Sequence, residues 1–336
     1  MASPTMDLDI SSLPLETRCP PFRLRQCGGF WLPETSLPGI AAVHASFAPR
    51  PEDILLASFP KSGTTWLKAL AFATLHRADH PPRAADHPLR RLNPHGCVKF
   101  LELDLGLPAQ DPKGGASGVL ATHLPYSLLG RRITAEDSGC RIVYICRDPK
   151  DAFVSSWLFT KKNMDMAAAM DAANNDSPPS KATKALCTLQ EAFELFCDGR
   201  SFYGPQWHHV VGYWQESRRN PHKVLFLRYE EMLQDPVSNL KKLAEFMGCP
   251  FSAEEEAAGA VRDIVELCSL DTLRNMEVNR NGAQLLARND GFFRKGVAGD
   301  WRNHMTSAMA ARLDRIVQDQ LQGSDFTFTV AAQATT

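Results

Sequence analysis

The sequence predicts a single α/β domain whose central parallel sheet is flanked by helices. Three observations carry that reading. Short apolar runs that end in turn residues are each followed by a helical stretch. This strand–loop–helix pattern occurs three times along the chain. No secretory, membrane or repeat signal interrupts it. Strands that alternate with helices imply a parallel sheet covered on both faces.

The first 50 residues are rich in Pro and Gly and read as an irregular surface wrap. The domain proper is expected over 51–325, with a short C-terminal tail over 326–336. Residues 53–59 form an apolar run that stops at Pro60, as a buried parallel strand does. A tight loop, 60–65, follows, and residues 66–76 have helical spacing. The pattern returns with a strand over 141–146, a loop over 147–151 and a helix over 152–160. A third strand, 224–227, leads into 228–234. Asp235 is a predicted N-cap with Pro236 at the first helical position and Gly248 past the end. Ser252 and Glu255 make a capping box for one helix reaching about Cys268. Residues 79–94 and 166–180 read as loops, and either could act as a lid.

A formal net charge of -1 and a hydrophobic content of 44% suit a globular chain and argue against a general nucleic-acid binder. Any anion site is therefore local. The N-terminus lacks the basic start and apolar run of a secretory signal, and no stretch approaches the ~18 apolar residues of a membrane helix. The nine cysteines never fall at C-x-x-C spacing, which favours free thiols in a reducing, cytoplasmic setting. There is no H-E-x-x-H, and the adjacent His208 and His209 cannot face one way on a helix. No metal site is expected.

The loop Pro60-Lys61-Ser62-Gly63-Thr64-Thr65-Trp66 has the chemistry of an anion cradle. A helix N-terminus offers unpaired N–H groups and partial positive charge. Gly63 allows close backbone approach, the hydroxyls donate, and Lys61 adds a full charge. A nucleotide kinase or triphosphatase would place its Lys after the second Gly of G-x-x-x-x-G-K-[ST]. Here Lys61 precedes Gly63, no Gly-Lys dipeptide exists, and the magnesium-binding hydroxyl of that motif is missing.

The segment 60–70, PKSGTTWLKAL, resembles the 5′-phosphosulfate loop of the cytosolic sulfotransferases. The segment 147–155, RDPKDAFVS, is similar to that family's 3′-phosphate motif, and 292–301, FFRKGVAGDW, to its C-terminal cofactor motif. Residues 193–214 resemble the plant branch. The resemblance implies sulfonate transfer from 3′-phosphoadenosine 5′-phosphosulfate (PAPS) to a hydroxyl of a small acceptor, without metal, nucleic acid or membrane. It places Lys61, Ser62, Gly63, Thr64, Thr65 and Trp66 at the 5′-phosphosulfate and adenine. It places Arg147, Ser155, Arg294, Lys295 and Gly296 at the 3′-phosphate, and Tyr229 against the base. Thr122-His123-Leu124-Pro125 matches the family's T-H-L-P segment, which makes His123 the general base, with Lys61 stabilising charge on the bridging oxygen.

Three departures accompany the match. Ala121 stands where several relatives carry Lys, and Leu270 replaces an aromatic that often sandwiches adenine. Residues 302–311 differ from the family's dimer motif at three positions, which implies a monomer. Residues 93–102 and the two loops are expected to line the acceptor pocket. Two alternatives stay open beside this reading: a P-loop-type kinase, and an inactive protein that binds PAPS or its product, 3′-phosphoadenosine 5′-phosphate (PAP).

Overall fold

The computed structural model describes residues 9–18, 23–104, 118–174, 187–284 and 287–328. Along the chain, strands β1 (Leu15–Glu16), β2 (Leu24–Cys27) and β3 (Phe30–Pro33) precede β4 (Ile54–Ser58). They are followed by β5 (Lys99–Phe100), β6 (Val119–Thr122), β7 (Arg141–Cys146) and β8 (Val224–Arg228). The central sheet has the order β5-β6-β4-β7-β8 with every pairing parallel. Alternation within each strand divides the core. Leu55, Ala57, Ile142 and Tyr144 face one set of helices, while Ile54, Leu56, Val143 and Ile145 face the other. Side chains of successive strand residues point to opposite faces, so a sheet covered on both sides needs continuous apolar strands.

The three expected strands are present within a residue or two. The capped helix also holds: Asp235 accepts from Ser238 N–H at 3.0 Å, the helix spans Pro236–Phe246, and Gly248 sits beyond it at φ 78°. Strands β5 and β6, of two and four residues, are too short to show a period of their own in the sequence.

Four expectations are corrected. The N-terminal segment is not irregular where it is described. β1, β2 and β3 form an antiparallel sheet, and a helix spans Leu37–Ser46. Gly28 and Gly29, both at positive φ, make the two-residue turn between β2 and β3. That Gly-Gly dipeptide was the legible signal. The helix begun by the Ser252 capping box is two helices, Ala253–Ala257 and Ala260–Leu267, because Gly259 takes a left-handed conformation between them. The helix after β7 starts at Pro149 and continues to Asn174, through the first half of the expected loop 166–180. Residues 175–180 lie outside the described residues. Finally, Phe326 is buried against Trp214 and Phe226, so the domain extends into the expected tail. Residues 329–336 lie outside the described residues.

Candidate functional site

The loop between β4 and the Thr64–Leu75 helix is built around two unusual backbone positions. Gly63 has φ 110°, and a Cβ there would lie 2.8 Å from the Tyr229 ring. Lys61 has φ 64°, a left-handed conformation that a side-chain-bearing residue holds only when its surroundings impose it. Arg147 supplies part of that constraint by donating from Nη1 to the Lys61 carbonyl at 3.2 Å. The first amides of the Thr64–Leu75 helix lack intrahelical acceptors, and no side chain caps them.

Two cavities meet at this loop. One, of about 280 Å³, is lined by Gly63, Trp66, Arg147, Ser155, Tyr229, Arg294, Lys295 and Gly296. The other, of about 210 Å³, is lined by His95, Phe100, His123, Phe153, Trp157, Phe159, Phe196 and Phe202. Lys61, Thr64, Thr65 and Phe292 line both. The structure thus gathers the expected site residues, spread from Lys61 to Gly296 along the chain, into one joined space, Ser62 excepted. Ser62 is fully buried, lines neither cavity, and its hydroxyl has no partner among the described residues.

The larger cavity has the furnishings of a polyanion site. Trp66 and Tyr229 meet edge to face at 5.7 Å and provide aromatic walls. Arg147 stacks on Tyr229, with its guanidinium 4.5 Å from the ring centre, and donates from Nη2 to Val297 O at 3.0 Å. Its Nε is buried without a partner, as is Arg294 Nε. Unsatisfied donors of this kind, side by side with a glycine cradle, fit a multiply charged ligand rather than an apolar one. Arg294 and Lys295 both pair with Asp300, Lys295 Nζ at 2.7 Å. Burial would push the Asp300 carboxyl up, but hydrogen bonds from Lys295 and Arg294 outweigh it and hold the group well below the usual range. Asp151 accepts from Gly299 N–H at 2.6 Å and Trp301 N–H at 3.0 Å, clamping this C-terminal loop to the Pro149–Asn174 helix. Asp151 and Asp300 lie inside the recognised motifs, yet their roles appear only in three dimensions. Leu270 lines the cavity and covers Gly296, whose φ is 65°.

Lys61 is the charged residue at the junction. Its ammonium lies 3.8 Å from the Phe159 ring centre. Burial, reinforced by Arg147 and Arg294, pushes its pKa down to about 7. An anion placed among these three cations would restore the proton.

His123 follows β6 and is held by its whole surroundings. Its backbone N–H donates to Glu102 Oε1 at 2.8 Å, and its carbonyl accepts from His209 Nε2 at 2.9 Å. Its Nδ1 lies 2.8 Å from Ser58 O. A carbonyl can only accept, so Nδ1 carries the proton and Nε2 keeps a lone pair. Burial pushes the imidazole down to about 3. This ring is therefore neutral throughout the physiological range. Glu102 also accepts from Thr122 Oγ1 at 2.9 Å and Tyr203 OH at 3.3 Å. The partners Ser58, Glu102, Tyr203 and His209 carried no motif that sequence reasoning could use.

From the segment 93–102, expected to line the acceptor pocket, His95 and Phe100 line the smaller cavity. The loop 79–94 does not: none of its residues lines either cavity. Instead Arg83 pairs with Asp263 at 2.7 Å on the outside of the domain.

With this geometry in place, the comparisons with known proteins are specific. Residues 51–325 match a family model described as a sulfotransferase domain. Cytosolic sulfotransferase 5 of Arabidopsis thaliana is 41% identical over 325 residues, covering 95% of each chain. A solved sulphotransferase structure from Arabidopsis thaliana superposes with a TM-score of 0.69 at 33% identity, covering 95% of this chain and 94% of that one. The mouse sulfotransferase SULT7A1, solved in complex with PAP, superposes with a TM-score of 0.59 at 26% identity, covering 90% of this chain and 95% of that one.

Proposed function

Because this chain belongs to the sulfotransferase family, we propose that its joined cavities transfer a sulfonate group from PAPS to the hydroxyl of a small, largely apolar acceptor. The observation that carries the reading is the junction itself: Lys61, Thr64 and Thr65 border both a cationic, aromatic cleft and an apolar pocket that contains His123. Family membership sets the kinase alternative aside.

Bound PAPS supplies a sulfuryl group on a phosphate, which leaves as PAP with the electrons of the broken bond. Arg147, Ser155, Arg294, Lys295 and Gly296 hold the 3′-phosphate end, and Trp66 and Tyr229 hold the base. The loop from Lys61 through Thr65 holds the phosphosulfate. Ser62 contributes through loop geometry, since its hydroxyl is enclosed. In the apolar pocket, His123 Nε2 takes the proton as the acceptor oxygen bonds to sulfur. Its neutral state and its Nδ1–H bond to Ser58 keep that lone pair available. Lys61, protonated beside the anion, stabilises charge on the leaving oxygen. The pocket walls of Phe100, Phe153, Phe159, Phe196 and Phe202 favour an aromatic or polycyclic alcohol or phenol.

The inactive-binding alternative and the transferase reading separate in one experiment. Purified protein incubated with PAPS and a panel of hydroxylated aromatic and polycyclic compounds is expected to release PAP and sulfated product, unaffected by excess EDTA. PAP binding without any product would support the inactive alternative. Loss of turnover in EDTA with recovery in magnesium would overturn the mechanism. A cytoplasmic location belongs to the same reading, and the relatives' names support it. The protein acts as a monomer because 302–311 departs from the dimer motif, and light scattering that reports a stable dimer would refute this.

A further inference from the structure

Lys68 lies one turn into the helix that follows the phosphosulfate loop and is fully buried. Buried lysines are rare unless paired, and the proposed reaction gives this one no part. Its Nζ donates to Val98 O at 3.0 Å, lies 3.1 Å from His95 Nδ1, and sits 3.3 Å from the centre of the Phe100 ring. An ammonium has three N–H donors and no lone pair. The three neighbours match it: a carbonyl, an imidazole nitrogen and an aromatic face, which attracts N–H groups and repels lone pairs. Burial pushes Lys68 well down, while Asp104 and Glu102 oppose that shift.

The consequence passes to His95. With Nδ1 accepting from Lys68, the ring proton must sit on Nε2. That nitrogen lies 3.0 Å from Thr65 Oγ1. Thr65 therefore accepts from His95, and its own hydroxyl proton is left to point elsewhere. Thr65 lines both cavities at their junction.

We propose that Lys68 and His95 form a buried positioning pair that locks the Thr65 hydroxyl as a proton donor toward the group being transferred. Neither residue touches the donor in this arrangement; both act through Thr65. The inference rests on the PAPS reading above, which supplies the anion that the hydroxyl addresses. It also explains why an otherwise apolar helix face carries a lysine.

The lock has a direct spectroscopic signature. In full-length protein with ¹⁵N-labelled histidine, His95 is expected as the Nε2–H tautomer, and Lys68→Met is expected to admit the Nδ1–H form. A wild-type Nδ1–H tautomer would overturn the proposal. The kinetic test is a double-mutant cycle. Lys68→Met and Thr65→Val should each lower kcat/KM for PAPS by about three- to tenfold, the scale of one neutral hydrogen bond. The double variant should fall no further than Thr65→Val alone, whereas fully additive losses would overturn the lock. His95→Phe serves the same cycle if Lys68→Met does not fold. Calorimetry with PAP separates the two levels: wild-type protein that fails to bind PAP overturns the donor assignment and the lock with it. Normal PAP binding with additive losses overturns the lock alone.

Discussion

The two cavities sit side by side but are built in opposite ways. The donor cleft draws its charged groups from three contiguous motifs, each with its own backbone geometry, and adds Tyr229 and Leu270 from elsewhere in the chain. The acceptor side is assembled from single residues delivered by distant segments. His123 is held by Ser58, Glu102 and His209, and Glu102 is in turn bonded by Tyr203. Even the N-terminal segment takes part. Trp31 and the segment carrying Tyr203 exchange backbone hydrogen bonds at 2.8 Å, and Gly39 packs against the Glu102 backbone. The donor motifs are themselves tied together over long range, Arg147 reaching Val297 O and Asp151 the amides of Gly299 and Trp301, but each charged group arrives on its own local loop. The acceptor side has no such local unit, and each of its groups is held by a different distant segment.

The largest expected effect lies in the base. His123→Ala should lose about 10²–10⁴-fold in turnover, the range of a positioned base, while PAP affinity stays nearly unchanged. Near-normal turnover in a folded variant would leave the mechanism without its base. Arg147→Ala should give the reciprocal pattern, with about ten- to a hundredfold weaker PAP binding, because it removes charge-assisted bonds and the tie to the Lys61 carbonyl. If both variants damaged binding and turnover alike, the separation of the two sides would be lost.

Gly39→Ala sharpens the comparison at a distance. A Cβ at Gly39 would fall 1.9 Å from Glu102 O, so the Leu37–Ser46 helix or the Glu102 backbone must move. Overpacking of this kind costs about 1–3 kcal/mol, readable as a lowered Tm. Turnover should fall more than PAP affinity, since Glu102 holds His123 and not the donor loop. Equal losses in both would show that the N-terminal segment supports the fold alone.

The smallest effect is in pH. Lys61 in the free protein loses its proton around pH 7, whereas the bound anion favours the protonated form. Donor binding therefore takes up a proton, and PAP affinity should weaken as pH rises from 7 to 9, by at most about tenfold per unit. Lys61→Met should flatten that slope, and an unchanged slope would assign it to another group. His123 contributes nothing in this window, because a base held at about 3 is already unprotonated.

The donor side, and the sheet that carries it, are legible from neighbouring residues alone. Anion loops, caps and parallel strands are written in neighbouring residues. The 60–66 loop, the Asp235 cap and the three strand–loop–helix units could therefore be read directly. The N-terminal sheet was hidden because strands of two to four residues, broken by Pro and Gly, carry too little periodicity. The acceptor side emerges only when distant segments pack together. Glu102, His95, Lys68 and Tyr203 lie inside segments the sequence marks, yet none could be given a role there, since a buried carboxylate, imidazole, ammonium or phenol acquires its role from the partners that burial forces on it. Burial also took His123 from an ordinary imidazole to a permanently neutral one, a change of environment that no run of neighbouring residues encodes.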